Sequence, residues 1–257
     1  MRVYMPLSLG LDSEEAHDHL VRQLQTISII RELAENVAIP PEEGSDLQVL
    51  VERLGDTPVH LGRGIQNYLR MAIHCLSRVE VELETPDRAS VFVLQALLRP
   101  VLMSAGRVVF LLGPDDPDVQ LERGRIILRQ ELNSYSKALG KFSEFDFLRG
   151  LKPPEEVRYS VRTQFDSIKA EVPHCSEEAI LDQMADYIAI GVREKFGSGS
   201  DSAVLKEMVK HSWHTYSGAS HGYVWPDNVP GDLVSSLGGI VPVAHLAFDI
   251  AVRRTRA

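Results

Sequence analysis

The chain has 257 residues, of which 44% are hydrophobic and 25% are charged, and it carries a formal net charge of −9. These proportions are typical of a globular protein with a sizeable core and exclude a disordered chain. The negative charge works against non-specific binding to duplex DNA or to an anionic membrane, which both require a positive surface. We therefore expect neither duplex DNA nor a membrane among the partners.

The first half of the chain shows helical periodicity and no alternation typical of strands. Asp12 or Ser13, followed by two glutamates, predicts the start of a helix that ends before Pro40. Asp115 or Asp116 is expected to cap a later helix that extends to about residue 139. Three helices are predicted between these two. They lie near residues 45–54, from about Leu61 to about residue 82, and at 88–112.

The segment Gly150-Leu-Lys-Pro-Pro is the clearest internal break, and we expect a hinge near residues 150–154. Four further helices are predicted beyond it, near residues 154–170, 176–196, 201–221 and 231–254. Neither half is rich enough in apolar helix to stand well alone, so residues 1–257 are predicted to form a single helical domain. The fold class is therefore all-α, a bundle of about eight or nine helices.

Two apolar segments, residues 90–113 and 233–252, approach the length of a membrane span. Each contains charged residues and a proline, so we interpret both as buried core helices, which could also supply the contact face of a homodimer. The two cysteines, Cys75 and Cys175, form no Cys-x-x-Cys pair, and the N-terminal segment has no apolar run long enough for a secretory signal. These observations predict a cytoplasmic protein with reduced thiols.

Three of the nine histidines, His211, His214 and His221, lie within eleven residues. On a helix they share one side, so we expect them either to face solvent or to line a cleft that another element covers. Gly222 is predicted to end this helix, where a cationic His221 would complement the helix dipole. The side predicted to face the core consists of Leu205, Met208, Val209, Ser212, Trp213 and Tyr216.

Metal binding is one interpretation of this segment. His211 and His214 have a spacing found in zinc sites, with His221 or Asp227 as a further ligand. A di-iron site would instead need two Glu-x-x-His motifs that face each other. The chain has two such motifs, at residues 14–17 and 171–174, but the first opens a helix and the second contains a proline. We therefore predict no metal and no cofactor.

Acid–base chemistry is the other interpretation, because a histidine beside hydroxyl groups can transfer a proton near neutral pH. The candidate catalytic residues are His221, Ser217 and His214. They would act on a bound phosphodiester.

Arg99 and Arg107 lie in the most apolar predicted helix, and a buried arginine requires a partner. One interpretation is a structural ion pair. The other is an anion pocket, in which both arginines, with Ser220 and Tyr216, converge with His221 on a phosphate or carboxylate. The expected carboxylate partners are Asp115, Asp116, Glu122 and Glu131.

The motif Leu98-Arg99-Pro-x-x-x-Ser-Ala-Gly-Arg107, together with Tyr216-Ser217-x-x-Ser220-His221-Gly222, resembles a family of all-helical proteins of actinobacteria and their phages. The resemblance covers about residues 95–130 and 212–223. It implies a helical fold and a phage or defence setting, and it carries no assigned activity.

There is also a remoter resemblance to the HEPN bundles, many of which are ribonucleases with an arginine shortly before a histidine on one helix. Here no arginine stands in that window before His214 or His221, and Lys210 is a poor substitute for the planar guanidinium. A nuclease would then need Arg99 or Arg107 to supply the cation from another helix.

Two functions follow from these patterns. The first is an intracellular interaction or regulatory protein, with a polar pocket for a protein partner, a second copy of the chain or a small anionic ligand. The alternative is a HEPN-like RNA-processing or phosphotransfer enzyme that uses His221 as acid or base.

Overall fold

The computed structural model describes residues 13–84, 90–147, 149–196, 202–223 and 232–257. These residues form nine α-helices and one short 3-10 turn, and no strand occurs among them. The prediction of an all-α bundle is therefore confirmed. The helices are α1 (Glu14–Asn36), α2 (Asp46–Leu54), α3 (Leu61–Leu83), α4 (Val91–Leu112), α5 (Pro117–Ser143), α6 (Glu155–Glu171), α7 (Glu177–Phe196), α8 (Ser202–Ser220) and α9 (Leu233–Thr255).

Side-chain caps explain where several helices begin. The side chains of Ser13, Asp116 and Asp232 each accept a hydrogen bond from a backbone N–H in the next turn, at 3.1, 2.8 and 2.7 Å. These N–H groups have no partner within the helix, so each cap stabilises the first turn by about 0.5–2 kcal/mol. The predicted starts at Ser13 and Asp116 are confirmed.

Helix α4 lies at the centre of the bundle, with α3, α7, α8 and α9 packed around it. Residues 101–112 are buried except for Arg107, which is half-buried. A helix with neighbours on most sides can be apolar all round, which explains the composition of α4. Gly106 allows α7 to approach closely, because a Cβ at this position would lie 3.0 Å from Leu181.

One apolar core contains residues from all nine helices of the described chain. Helix α6 packs on α5 across the predicted hinge, and α1 packs on α9. Helices α1 and α9 approach closely at Gly238, where an added Cβ would lie only 2.6 Å from His19 Nε2. The segments on both sides of residues 150–154 therefore contribute to the same core.

Helices α4 and α9 are long and apolar enough to cross a membrane by length and composition. In the fold they pack against each other, and 56% of the most apolar window of each is buried. Core helices of globular proteins have the same length and composition, so this finding is weak evidence for a membrane protein.

Helix α8 follows the predicted pattern with two differences. Val209 and Tyr216 are buried as expected. Met208 is 50% exposed, so its predicted place in the core is wrong: it lies at a surface cleft beside the start of α1. Gly218, which helical spacing places on the same side as the three histidines, is buried.

Candidate functional site

The three clustered histidines, His211, His214 and His221, are all exposed. Within the described ranges no hydrogen bond or ion pair joins their rings to another side chain. Their ring contacts are those of His214 with Trp213, at a centroid distance of 4.6 Å, and of His221 with Tyr223, at 6.0 Å. Of the two predicted arrangements, the structure has the one in which the histidines face solvent.

The end of α8 gives His221 a local structural role. Gly222 has a φ of +72°, and its N–H donates to the carbonyl of Ala219 at 3.0 Å. The N–H of Tyr223 donates to the carbonyl of Gly218, also at 3.0 Å, which completes a Schellman motif. The prediction that Gly222 ends the helix is confirmed. His221 is the residue before it, at the helix end where a cation is favoured.

The hydroxyl-bearing candidates near His221 make local contacts or lie in the core. The carbonyl of Ser217 accepts hydrogen bonds from the His221 N–H, at 3.1 Å, and from the Ser220 hydroxyl, at 3.0 Å. Tyr216 is buried, and burial raises the pKa of its hydroxyl. Ser217 and Ser220 therefore help to finish the helix, whereas Tyr216 belongs to the core.

No group of three or more His, Cys, Asp or Glu side chains in the described part of the chain is arranged to hold a metal ion. Asp227, one of the ligands considered above, lies outside the described residues. Of the two Glu-x-x-His motifs, the first places His17 Nδ1 3.1 Å from the carbonyl of Ser13, and the second has Glu171 paired with Arg125. The two motifs do not face each other.

Arg107 lies at the centre of a half-buried network of charges. Its guanidinium is 3.6 Å from Glu131 and 3.4 Å from Glu177, and its Cζ lies 5.2 Å from the centre of the Tyr68 ring. Arg99 shares Glu177 at 3.7 Å. The expected pairing of a buried arginine with Glu131 is confirmed. Glu177 is the partner that sequence reasoning missed, because it begins another helix, 70 positions from Arg107.

Tyr68 contacts both Arg107 and Glu131 in this network. Its hydroxyl donates a hydrogen bond to Glu131 Oε1 at 2.5 Å. Burial raises the pKa of Tyr68 above its ordinary value, although the charge of Arg107 acts in the opposite direction. Tyr68 is therefore protonated at neutral pH and remains a donor. The Glu131 carboxylate is held between one neutral and one charged donor.

A cleft of about 770 Å³ opens beside Arg107, between α5, the connection from α6 to α7, and α8. This volume lies within the range of about 300–1,000 Å³ that small-molecule sites occupy. The cleft, which we call the Arg107 cleft, is lined by Arg107, Arg129, Gln130, Glu131, Asn133, Ser134, Phe165, Lys169, His174, Cys175, Ser176, Glu177, Glu178 and Trp213.

Side chains of α5 hold the floor of the Arg107 cleft in place. Arg129 donates to the carbonyl of Val172, and Gln130 Nε2 donates to the carbonyl of Cys175, both at 2.6 Å. These bonds satisfy carbonyls of the irregular connection between α6 and α7. Residues 172–175 are thereby attached to α5 at two points.

Three polar atoms of the cleft residues are buried and have no hydrogen-bond partner in the structure: Arg107 Nε, Trp213 Nε1 and Gln130 Oε1. The Nε of Arg99, which also pairs with Glu177, is likewise buried without a hydrogen-bond partner. An unsatisfied buried polar atom costs about 1–3 kcal/mol, so native proteins keep few of them. Six other side chains in the described part of the chain hold a similar atom, so these four are not specific to the cleft, and their burial leaves them out of reach of a ligand in it.

The Arg107 cleft is assembled from five helices, and of the site residues predicted from the sequence it includes Arg107. The histidine segment contributes Trp213 to it, while His211, His214 and His221 do not line it. Comparison of the chain with protein-family models, with curated proteins and with solved structures gave no match.

Proposed function

We propose that the protein binds a small molecule in the Arg107 cleft and acts as a regulatory or interaction protein rather than as a catalyst. The Arg107 guanidinium carries the proposal, because it is half-buried in the wall of a ligand-sized cleft. A guanidinium in such a place is a strong anchor for a polar ligand. The cytoplasmic location, the homodimer and the phage or defence setting stay predictions.

The ion pairs of Arg107 are longer than a charge-assisted bond of ideal length, as is the exposed pair of Arg162 with Asp166 at 3.5 Å. Arg107 lies 3.4 and 3.6 Å from its two carboxylates, whereas Arg53 and Asp118 are 2.6 Å apart. Charge-assisted N–H···O bonds are strongest at about 2.7–2.9 Å. Glu131 and Glu177 therefore do not saturate Arg107, which can donate to a ligand without losing an ideal ion pair.

The HEPN-like alternative has less support from this arrangement. Acid–base work on a phosphodiester requires the histidine to reach a phosphate that a cation holds. Arg99 and Arg107 face Glu177, and Arg107 also lines a cleft that His221 does not. His221 lies eight residues beyond Trp213, which corresponds to about 12 Å along the helix axis.

A comparison of wild type with His221→Ala tests the alternative. We expect neither protein to cleave a single-stranded RNA above background, because the two candidate phosphate-binding arginines, Arg99 and Arg107, pair with Glu177 and share no cleft with His221. The measurement is a fluorescence-quenched RNA cleavage assay, with circular dichroism to show that both proteins are folded. Cleavage by the wild type that His221→Ala abolishes would contradict the binding proposal and establish the enzyme.

Thermal unfolding with three probes tests binding in the Arg107 cleft. Benzoate, benzylamine and benzyl alcohol share one ring and differ in charge. A probe at ten times its Kd stabilises the folded state by about 1.4 kcal/mol, which raises the Tm of a protein of this size by about 3–6 °C. We expect at least one probe to produce this shift.

Two arginine substitutions test whether the probe that raises the Tm binds in the Arg107 cleft. Arg107→Lys keeps the charge but loses the planar fork, and we expect it to weaken the binding of that probe about tenfold or more. Arg125→Lys changes a surface pair with Glu171 outside the cleft, and we expect it to leave affinity unchanged. The proposal is wrong if no probe raises the Tm or binds in calorimetry, or if the two variants bind equally well.

A further inference from the structure

We propose that the ligand of the Arg107 cleft is an organic anion, and that its carboxylate or phosphate group binds between Arg129 and Lys169. This inference rests on the proposed function, since it specifies the class of molecule that the cleft takes. It depends on which charged side chains of the cleft already have an oppositely charged partner in the protein.

Each of the three carboxylates that line the cleft already faces a cation of the protein. Glu131 and Glu177 lie 3.6 and 3.4 Å from Arg107, and Glu178 lies 3.5 Å from Lys210. Opposite charges at such distances cancel much of the field of each carboxylate. A cationic ligand would therefore have to compete with the protein's own cations.

Arg129 and Lys169 make contacts of a different kind. Arg129 donates to the backbone carbonyl of Val172, and Lys169 Nζ lies 5.8 Å from the centre of the Phe165 ring. Neither has a carboxylate within 4.0 Å among the residues that the structure describes. This end of the cleft therefore presents two positive charges that its own residues do not neutralise.

The hydrogen-bonding groups of the cleft favour the same class of ligand. Arg107, Arg129 and Lys169 line the cleft, and their guanidinium and ammonium groups are hydrogen-bond donors that contain no acceptor atom. Ionised carboxylates offer only acceptors, and phosphate oxygens are strong acceptors as well. An acceptor-rich anion can pair with these donors, whereas the carboxylates that a cationic ligand would need already face cations of the protein.

The cleft has room for more than an inorganic ion. Its volume is about 770 Å³, and Phe165 and Trp213 supply aromatic surface on two of its walls. Aromatic side chains contribute binding energy by covering apolar parts of a ligand. The anionic group is therefore expected to belong to a molecule with an apolar, preferably ring-containing, body.

Calorimetric titration with four probes tests the class of ligand: benzoate, phenyl phosphate, benzylamine and inorganic phosphate. We expect an aromatic anion to bind at least about tenfold more tightly than benzylamine. Its affinity should fall as salt is added, because the interaction is between charges at an open cleft. Benzoate against phenyl phosphate distinguishes a carboxylate from a phosphate source, and inorganic phosphate alone tests whether the ring is needed.

Matched variants locate the anionic group. Arg129→Gln and Lys169→Gln should each weaken anion binding about tenfold, whereas Arg125→Gln, one helical turn from Arg129 and outside the cleft, should not. Lys169 is exposed, so its variant is expected to fold even if Arg129→Gln does not.

The outcomes separate the two proposals. Binding of benzylamine without binding of either aromatic anion would overturn the inference and leave the proposed function standing. Equal anion affinity in Lys169→Gln and Arg125→Gln would also overturn it. Failure of all four probes and of benzyl alcohol would overturn both.

Discussion

Replacing Phe110 by alanine is expected to lower the free energy of unfolding by about 3–5 kcal/mol. Phe110 is 0% exposed in the central helix α4, and its ring lies 4.7 Å from the Arg123 guanidinium carbon. Neighbouring helices pack around α4, so the surrounding side chains can only partly collapse into the cavity. Urea unfolding followed by circular dichroism measures this loss.

The matched control is the same substitution at Phe147, which is 101% exposed. An alanine there should change the free energy of unfolding by no more than about 0.5 kcal/mol, because no packed side chain is removed. Equal losses in the two variants would show that burial in α4 does not determine the stability of the bundle.

Replacing Arg107 by methionine is expected to lower the free energy of unfolding by about 2–3 kcal/mol. Breaking a fully buried ion pair costs about 3–5 kcal/mol because it leaves an uncompensated charge. The loss should be smaller here, since the side chains of Glu131 and Glu177 are 32% and 38% exposed. The contact with the Tyr68 ring is lost as well.

Two further variants check the origin of this loss. Arg125→Met removes an exposed partner of Glu171 and should cost at most about 1 kcal/mol. Adding Glu131→Gln to Arg107→Met should recover part of the stability, because it removes one of the unpaired carboxylates. A loss of stability for Arg125→Met as large as that for Arg107→Met would contradict the view that the ion pairs of Arg107 stabilise the fold. An absence of recovery in the double variant would contradict it as well.

Helix boundaries are the part of this fold that the sequence predicts well. The starts at Ser13 and Asp116 and the end at Gly222 depend on residues within one helical turn, so a local pattern contains the whole cause. Helical geometry also places the three histidines on one side of α8, but it left open whether another element covers that side. Met208 was misplaced because a pattern of apolar residues does not show where the neighbouring helices end.

The Arg107 cleft is the part that the sequence does not predict. Its contacts join residues far apart in the chain: Arg107 and Glu177 are 70 positions apart, and Gln130 and Cys175 are 45 apart. Each charged residue alone resembles an ordinary surface or ion-pair residue. The histidine segment indicated the right helix, but Trp213, rotated by about 100° from His214, is the residue that reaches the cleft.

The packing of α1 on α9 has a consequence for synthesis of the protein. The end of α1 and the start of α9 are separated by 197 positions, from Asn36 to Leu233. Chains are made at about 5–20 residues per second, so α1 waits roughly 10–40 s on the ribosome for its partner. During that time the apolar side of α1, with Leu20, Ile27 and Ile30, has no α9 to cover it. Of the two helices that pack mainly on α1, only α3 is available to cover it during this interval.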